Sequence, residues 1–102
     1  MENKTAMDLV REAKQQIENL TNYEVSIELS QGNVSLIDLR ETEEIQQHGK
    51  IIGTVHAPRR MLEFFADPSL PFHKPEFDKN KRIILHCAAG SRSALATITL
   101  KN

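Results

Sequence analysis

The sequence lacks a second cysteine, a long apolar run, a block of basic residues and an apolar leader. Its one cysteine, Cys87, allows neither an internal disulfide nor a cysteine-based zinc site, so the thiol is either an inert core group or a chemical one. Uninterrupted apolar stretches such as Ile83-Ile84-Leu85 are only a few residues long, far below the roughly 18 that a membrane span requires. Met1-Glu2-Asn3-Lys4 leads into a charged stretch around Asp8, Arg11 and Glu12 where a secretory signal would be apolar, so the expected location is the cytoplasm. The thirteen Lys and Arg are scattered, which gives no electrostatic footprint for nucleic acid. His48, His56 and His73 lack ligand-like spacing and a cysteine partner, so neither metal nor cofactor is expected.

With 102 residues, 39% hydrophobic and 26% charged, and a net charge of -1, the composition is that of an ordinary globular protein with one core. We read residues 1–102 as a single domain, with a helical segment over 1–31 and a core over 34–100. Ala6, Leu9, Val10, Ala13, Ile17 and Leu20 recur at spacings of three and four, which predicts an amphipathic helix over 6–20. Thr21 and Glu24 form a capping-box pattern for a second helix through Leu29, stopped by Gly32. Val34 to Leu39 predicts a buried strand, Glu41 to His48 a short helix ended by Gly49, and Ile51 to Ala57 a return to the sheet. Met61 to Phe65 suits another short helix, Pro68, Pro71 and Pro75 an irregular loop, and Arg82 to His86 a second strongly apolar strand. Ser91 to Leu100 closes the chain as a helix capped by Ser91 or a loop residue. Strands alternating with helices predict an α/β fold with a parallel sheet flanked by helices.

The chemistry gathers in Cys87-Ala88-Ala89-Gly90-Ser91-Arg92-Ser93, between the second strong strand and the last helix. Small residues let the backbone curl so that amides point inward. With the positive end of a helix dipole and the Arg92 guanidinium, such a cradle favours an anion at the sulfur. Cysteines in such settings have pKa values of roughly 3.5 to 7.5, against about 8.5 for a free thiol, and the thiolate is the nucleophile. A structural cysteine at a strand end is the commoner case for a lone thiol. It has no need, however, of Ala-Ala-Gly followed by Ser-Arg-Ser.

These residues resemble the rhodanese-like family. Cys87 to Ser93 is similar to its catalytic Cys-x-x-Gly-x-Arg-Ser loop, Ile37-Asp38-Leu39-Arg40-Glu41 with Glu44 and Gly49 to its strand-end Asp-x-Arg-Glu segment, and Ile51 to Arg59 to its second segment. The resemblance implies a sulfurtransferase in which Cys87 takes a sulfane sulfur from a small anionic donor such as thiosulfate. The resulting persulfide would pass that sulfur to cyanide, a thiol or a protein acceptor. A non-catalytic rhodanese-like binding module is the alternative. His86-Cys87 also invites a phosphatase or arsenate-reductase reading. Only Ala88, Ala89, Gly90 and Ser91 separate Cys87 from Arg92, though, one residue fewer than a phosphate loop needs.

Arg59 and Arg40 lie near strand ends, where α/β sheets open their ligand crevices. Arg59 is a candidate for binding the anionic donor. Arg40 is read as pairing with Glu41 or Glu44, and Asp38 as holding backbone amides. The family commonly has His at Lys50 and Pro at Ile52. It also continues past the last helix with a further strand and helix, so the resemblance implies a reduced strand count and an unpaired edge on Arg82 to Cys87. Three outcomes are expected for that edge: the N-terminal helices cover it, a homodimer covers it, or the domain is marginal.

Overall fold

The computed structural model describes residues 4–101. Met1 to Asn3, which carry part of the leader reading, and Asn102 lie outside the described residues. Helix α1 (Ala6–Gln16) starts at Thr5, whose hydroxyl accepts from the Asp8 amide while the Asp8 carboxylate accepts from the Thr5 amide. This reciprocal box satisfies two of the amides that a helix start leaves open. The predicted helix over 6–20 ends early because Ile17 is extended and Asn19 Nδ2 donates to the carbonyls of Lys14 and Ile17. A side chain thus takes the place of the next helical turn. Helix α2 (Asn22–Gln31) has the expected Thr21/Glu24 box and stops at Gly32, whose φ of 80° suits glycine.

Strands β1 (Val34–Asp38), β2 (Val55–His56) and β3 (Arg82–His86) form a parallel sheet in the order β2-β1-β3. Helix α3 (Thr42–His48) joins β1 to β2, and α4 (Leu62–Ala66) follows β2 after a turn of 3-10 helix. The final helix, α5 (Ser91–Lys101), follows β3. The α/β expectation therefore holds, with a small sheet and, among the described residues, five α-helices. The strand predicted over Ile51 to Ala57 shrinks to two residues. Thr54 folds back, its amide and hydroxyl both donating to the Ile51 carbonyl, and Ile52 is left 95% exposed. β-branched composition favoured a strand there, but the local turn won because the side chains have no sheet face to enter.

Ile37 and Leu39 of the central strand segment are fully buried and form the core with Ala57, Leu62, Phe77 and Ala96. Val10 and Ala13 of α1 are also buried, and α1 packs along α5 while α2 lies against β1. Among the described residues β3 pairs with β1 alone, so its outer edge faces no strand. The N-terminal helices cover this edge only in part. Arg82 binds Glu18 and Glu28, which ties α2 and the segment before it to the base of β3. A cleft of about 710 Å³ remains between them, lined by Leu20, Val25 and Leu29 on one side and β3 on the other. No helix of the described residues is long and apolar enough to cross a membrane.

Candidate active site

Strand β3 delivers Cys87 to the carboxyl edge of the sheet, and the loop Ala88-Ala89-Gly90 turns the chain directly into α5. Gly90 has φ +85°, a left-handed geometry that L side chains adopt only with strain. Its carbonyl accepts from the Ala94 amide at 3.1 Å, so the helix begins at the loop and its free amides converge on the cysteine. The Ser93 amide donates to Cys87 Sγ at 3.4 Å, and Sγ lies 3.6 Å from Ser93 Oγ. Burial pushes the Cys87 thiol up, but the Ser93 hydroxyl and the amides of Ser93, Gly90 and Ala89 outweigh it, leaving the thiol below its ordinary value. Donors from four atoms of one loop thus bias the sulfur towards the thiolate.

The arginines distribute differently from the sequence expectation. Arg40 turns onto Asp38 and not onto Glu41 or Glu44: Nε and Nη2 grip both carboxylate oxygens, with Nη2 to Oδ2 at 2.8 Å, and Nη2 also donates to the Gly49 carbonyl. Asp38 is fully buried and accepts from the Arg40 amide as well. Burial raises its carboxyl, and the hydrogen bonds from the Arg40 side chain and amide carry it below the usual carboxylate range. Glu44 instead takes Arg92 in a two-pronged pair at 2.6 and 2.8 Å. That bond, with the Glu41 amide, brings the Glu44 carboxyl down to about 2. Arg92 is thus at the loop, facing Cys87, but with most of its fork committed to Glu44.

Arg59 is not gathered with the loop. It binds Glu63 at 2.9 Å and approaches Thr99 far along α5, and it lines neither cavity that reaches Cys87. The physical reason is that Ala57 and Pro58 carry the chain past the sheet edge, so Arg59 opens the turn leading to α4 and finds its carboxylate one helical turn away. Ser91 opens α5 without lining either cavity, whereas Ala88 forms part of a basin beside the sulfur.

That basin, about 400 Å³, is bounded by Arg40, His48, Gly49, Lys50, His86 and Cys87. Neither His48, which lacks ligand-like spacing, nor Lys50, where the family commonly has His, is a site candidate from the sequence. The available signal was position: His48 ends α3 and Lys50 follows it, where the chain returns towards the carboxyl ends of the strands and such crevices form. His86 Nε2 is buried 3.5 Å from Asp38 Oδ2, too poorly placed for a hydrogen bond and without another partner. Among the described residues no group of His, Cys, Asp and Glu could hold a metal ion.

A model of the rhodanese-like domain matches residues 21–102 of this chain. The chain belongs to the rhodanese-like family. A solved structure of a protein of unknown function from Rhodopseudomonas palustris CGA009, described as a possible tyrosine phosphatase, is similar to this rhodanese-like chain at 35% identity and a TM-score of 0.88. The match covers 99% of this chain and 78% of that one. No curated protein matches. Helix α1 lies outside the span matched by the family model, yet it packs against α5, which carries the rhodanese-like loop.

Proposed function

We propose that this protein is a sulfurtransferase that works by double displacement through Cys87. The carrying observation is the Cys87 sulfur at the focus of the Ser93, Gly90 and Ala89 donors, beside a basin containing Lys50 and His48. In the first step the Cys87 thiolate attacks the outer sulfur of thiosulfate. The sulfur–sulfur bond of the donor breaks, sulfite leaves with the bonding electron pair, and Cys87 carries a persulfide. Lys50 and the rim of the basin hold the donor's anionic oxygens, and the loop amides then hold the terminal sulfur anion. In the second step cyanide, a thiolate or a protein thiolate attacks that terminal sulfur, and the electron pair returns to Cys87 Sγ. A reducing cytoplasm suits this use of a lone thiol.

The label on the structural neighbour raises phosphoryl transfer as the second reading. Two features weigh against it here: four residues between Cys87 and Arg92 make a tighter loop than a phosphate requires, and the Arg92 fork is bound to Glu44. Mass spectrometry after incubation with thiosulfate tests the proposal. The expected result is a gain of one sulfur atom, lost in Cys87→Ser. No adduct on a thiol that iodoacetamide still alkylates would overturn it in favour of a binding module, and Cys87-dependent hydrolysis of an aryl phosphate would overturn it in favour of a phosphatase.

A further inference from the structure

The cleft along β3 also reaches the nucleophile: besides its apolar walls it is bounded by Cys87, Gly90 and Ser93. At this end stands Lys14, from helix α1. Its Nζ lies 3.7 Å from the point where a Cβ on Gly90 would sit, so the ammonium overlooks the loop that holds the sulfur. The other charged groups of the cleft are engaged: Arg82 with Glu18 and Glu28, and Lys101 Nζ with the Gln16 carbonyl. The arginines nearest the loop are held by Glu44 and Asp38. Lys14 Nζ has no hydrogen bond or ion pair among the described residues. Its backbone is nevertheless fixed, because Val10 and Ala13 are buried and the Lys14 carbonyl accepts from Asn19. A cation at the end of a flexible stem is thus delivered to the loop by a well-anchored helix.

We infer that Lys14 binds the anionic group of the organic thiol that accepts sulfur from Cys87, with the carbon body of that thiol in the cleft. This rests on the sulfurtransferase reading. The two cavities differ in a way that divides the substrates. The basin is small and rimmed by Arg40, His48 and Lys50, which fits a compact inorganic anion, whereas the cleft is larger and walled by Ile17, Leu20, Val25 and Leu29, which fits an organic body. The acceptor class is therefore an anionic organic thiol with an apolar body, for which a carboxylate-bearing thiol is the probe. It enters as the thiolate, its proton having gone to solvent, and attacks the terminal sulfur of the Cys87 persulfide. A bond forms between the two, the bond from that sulfur to Sγ breaks, and the electron pair stays on Cys87.

The test compares 4-(mercaptomethyl)benzoate with its methyl ester as acceptors from persulfidated protein, and iodoacetate with iodoacetamide as alkylators of unmodified Cys87. Each pair differs in the anionic group, and the second needs no sulfur transfer. Lys14→Gln should reduce the preference for the charged over the neutral member of each pair about three- to fivefold, the size of one partly solvated charge contact; the ratio cancels any change in the Cys87 thiolate itself. Lys14→Glu should reduce it further, and about 0.5 M salt should erase the difference. Lys14 is exposed, so both variants should keep the thermal midpoint of the parent. If persulfide forms and Lys14→Gln leaves both preferences unchanged, the inference fails while the sulfurtransferase reading stands. If no persulfide forms, the acceptor role falls with the sulfurtransferase reading, and a reduced iodoacetate preference would then show only that Lys14 binds anions at the loop.

Discussion

Replacing Ser93 by alanine removes one donor from the sulfur and leaves the backbone of the loop intact. The Ser93 hydroxyl stands 3.6 Å from Sγ and also reaches the Gly90 carbonyl at 3.2 Å, while the Ser93 amide keeps its own 3.4 Å contact. A hydrogen bond to a charged group contributes about 1.5–3 kcal/mol. This contact is long and the sulfur is only partly buried, so water recovers a share of it, and about 1 kcal/mol remains as the loss on Ser93→Ala. Since 1.4 kcal/mol is a factor of ten, the thiolate population on the rising limb of its titration should fall about fivefold. Iodoacetamide alkylation followed across pH measures this. The Ser93→Ala profile should move to higher pH, with about a fivefold lower rate on the rising limb and equal rates where both thiols are fully ionised. Ser93→Thr, which retains the hydroxyl, should restore the parent profile. Coincident profiles for Ser93→Ala and the parent would refute the idea that the loop's donors govern the thiolate.

Two further predictions concern the charge pairs around the loop. Glu44 has its carboxyl lowered from 4.5 to about 2 chiefly by Arg92, so the pair stabilises the fold fully above the unfolded value and loses that contribution as pH falls towards 2. Thermal midpoints of Glu44→Gln should therefore lie below the parent by a constant amount above about pH 5.5 and converge with it near pH 2; a gap that persists at pH 2 would count against the pairing. Asp38→Asn leaves the Arg40 guanidinium without its counter-charge beside a fully buried position, and urea unfolding should register a loss of about 3 kcal/mol. A loss under about 1 kcal/mol would mean that Arg40 finds an equally good partner.

Much of the fold was legible because its signals are local. Thr21 and Glu24 announce a helix start three residues apart, and Gly32 and Gly49 end helices at the left-handed geometry glycine tolerates. The apolar run from Ile83 to Leu85 marks a strand whatever surrounds it. The failures have equally physical causes. The periodicity from Ala6 to Leu20 continued past the true helix end because Ile17 and Leu20 serve the cleft wall from an extended segment, so apolar spacing persisted after the helix stopped. Ile51 and Ile52 carried strand propensity into a turn that the Thr54 hydroxyl helps close.

The lone cysteine and the loop around it were legible in the sequence alone. Small residues after Cys87, a glycine able to turn left-handed, and a helix starting at Ser91 are all consecutive, so their effect on the sulfur follows from local geometry. Tertiary structure alone decided which charges stand near that sulfur and which pair elsewhere. Glu44 lies within sequence reach of Arg40 but pairs with Arg92 from across the molecule, Arg40 closes on Asp38, Arg59 departs to Glu63, and Lys14 arrives from the first helix. Long side chains of one sign have many partners of the other, and only the packing of helices and strands selects among them.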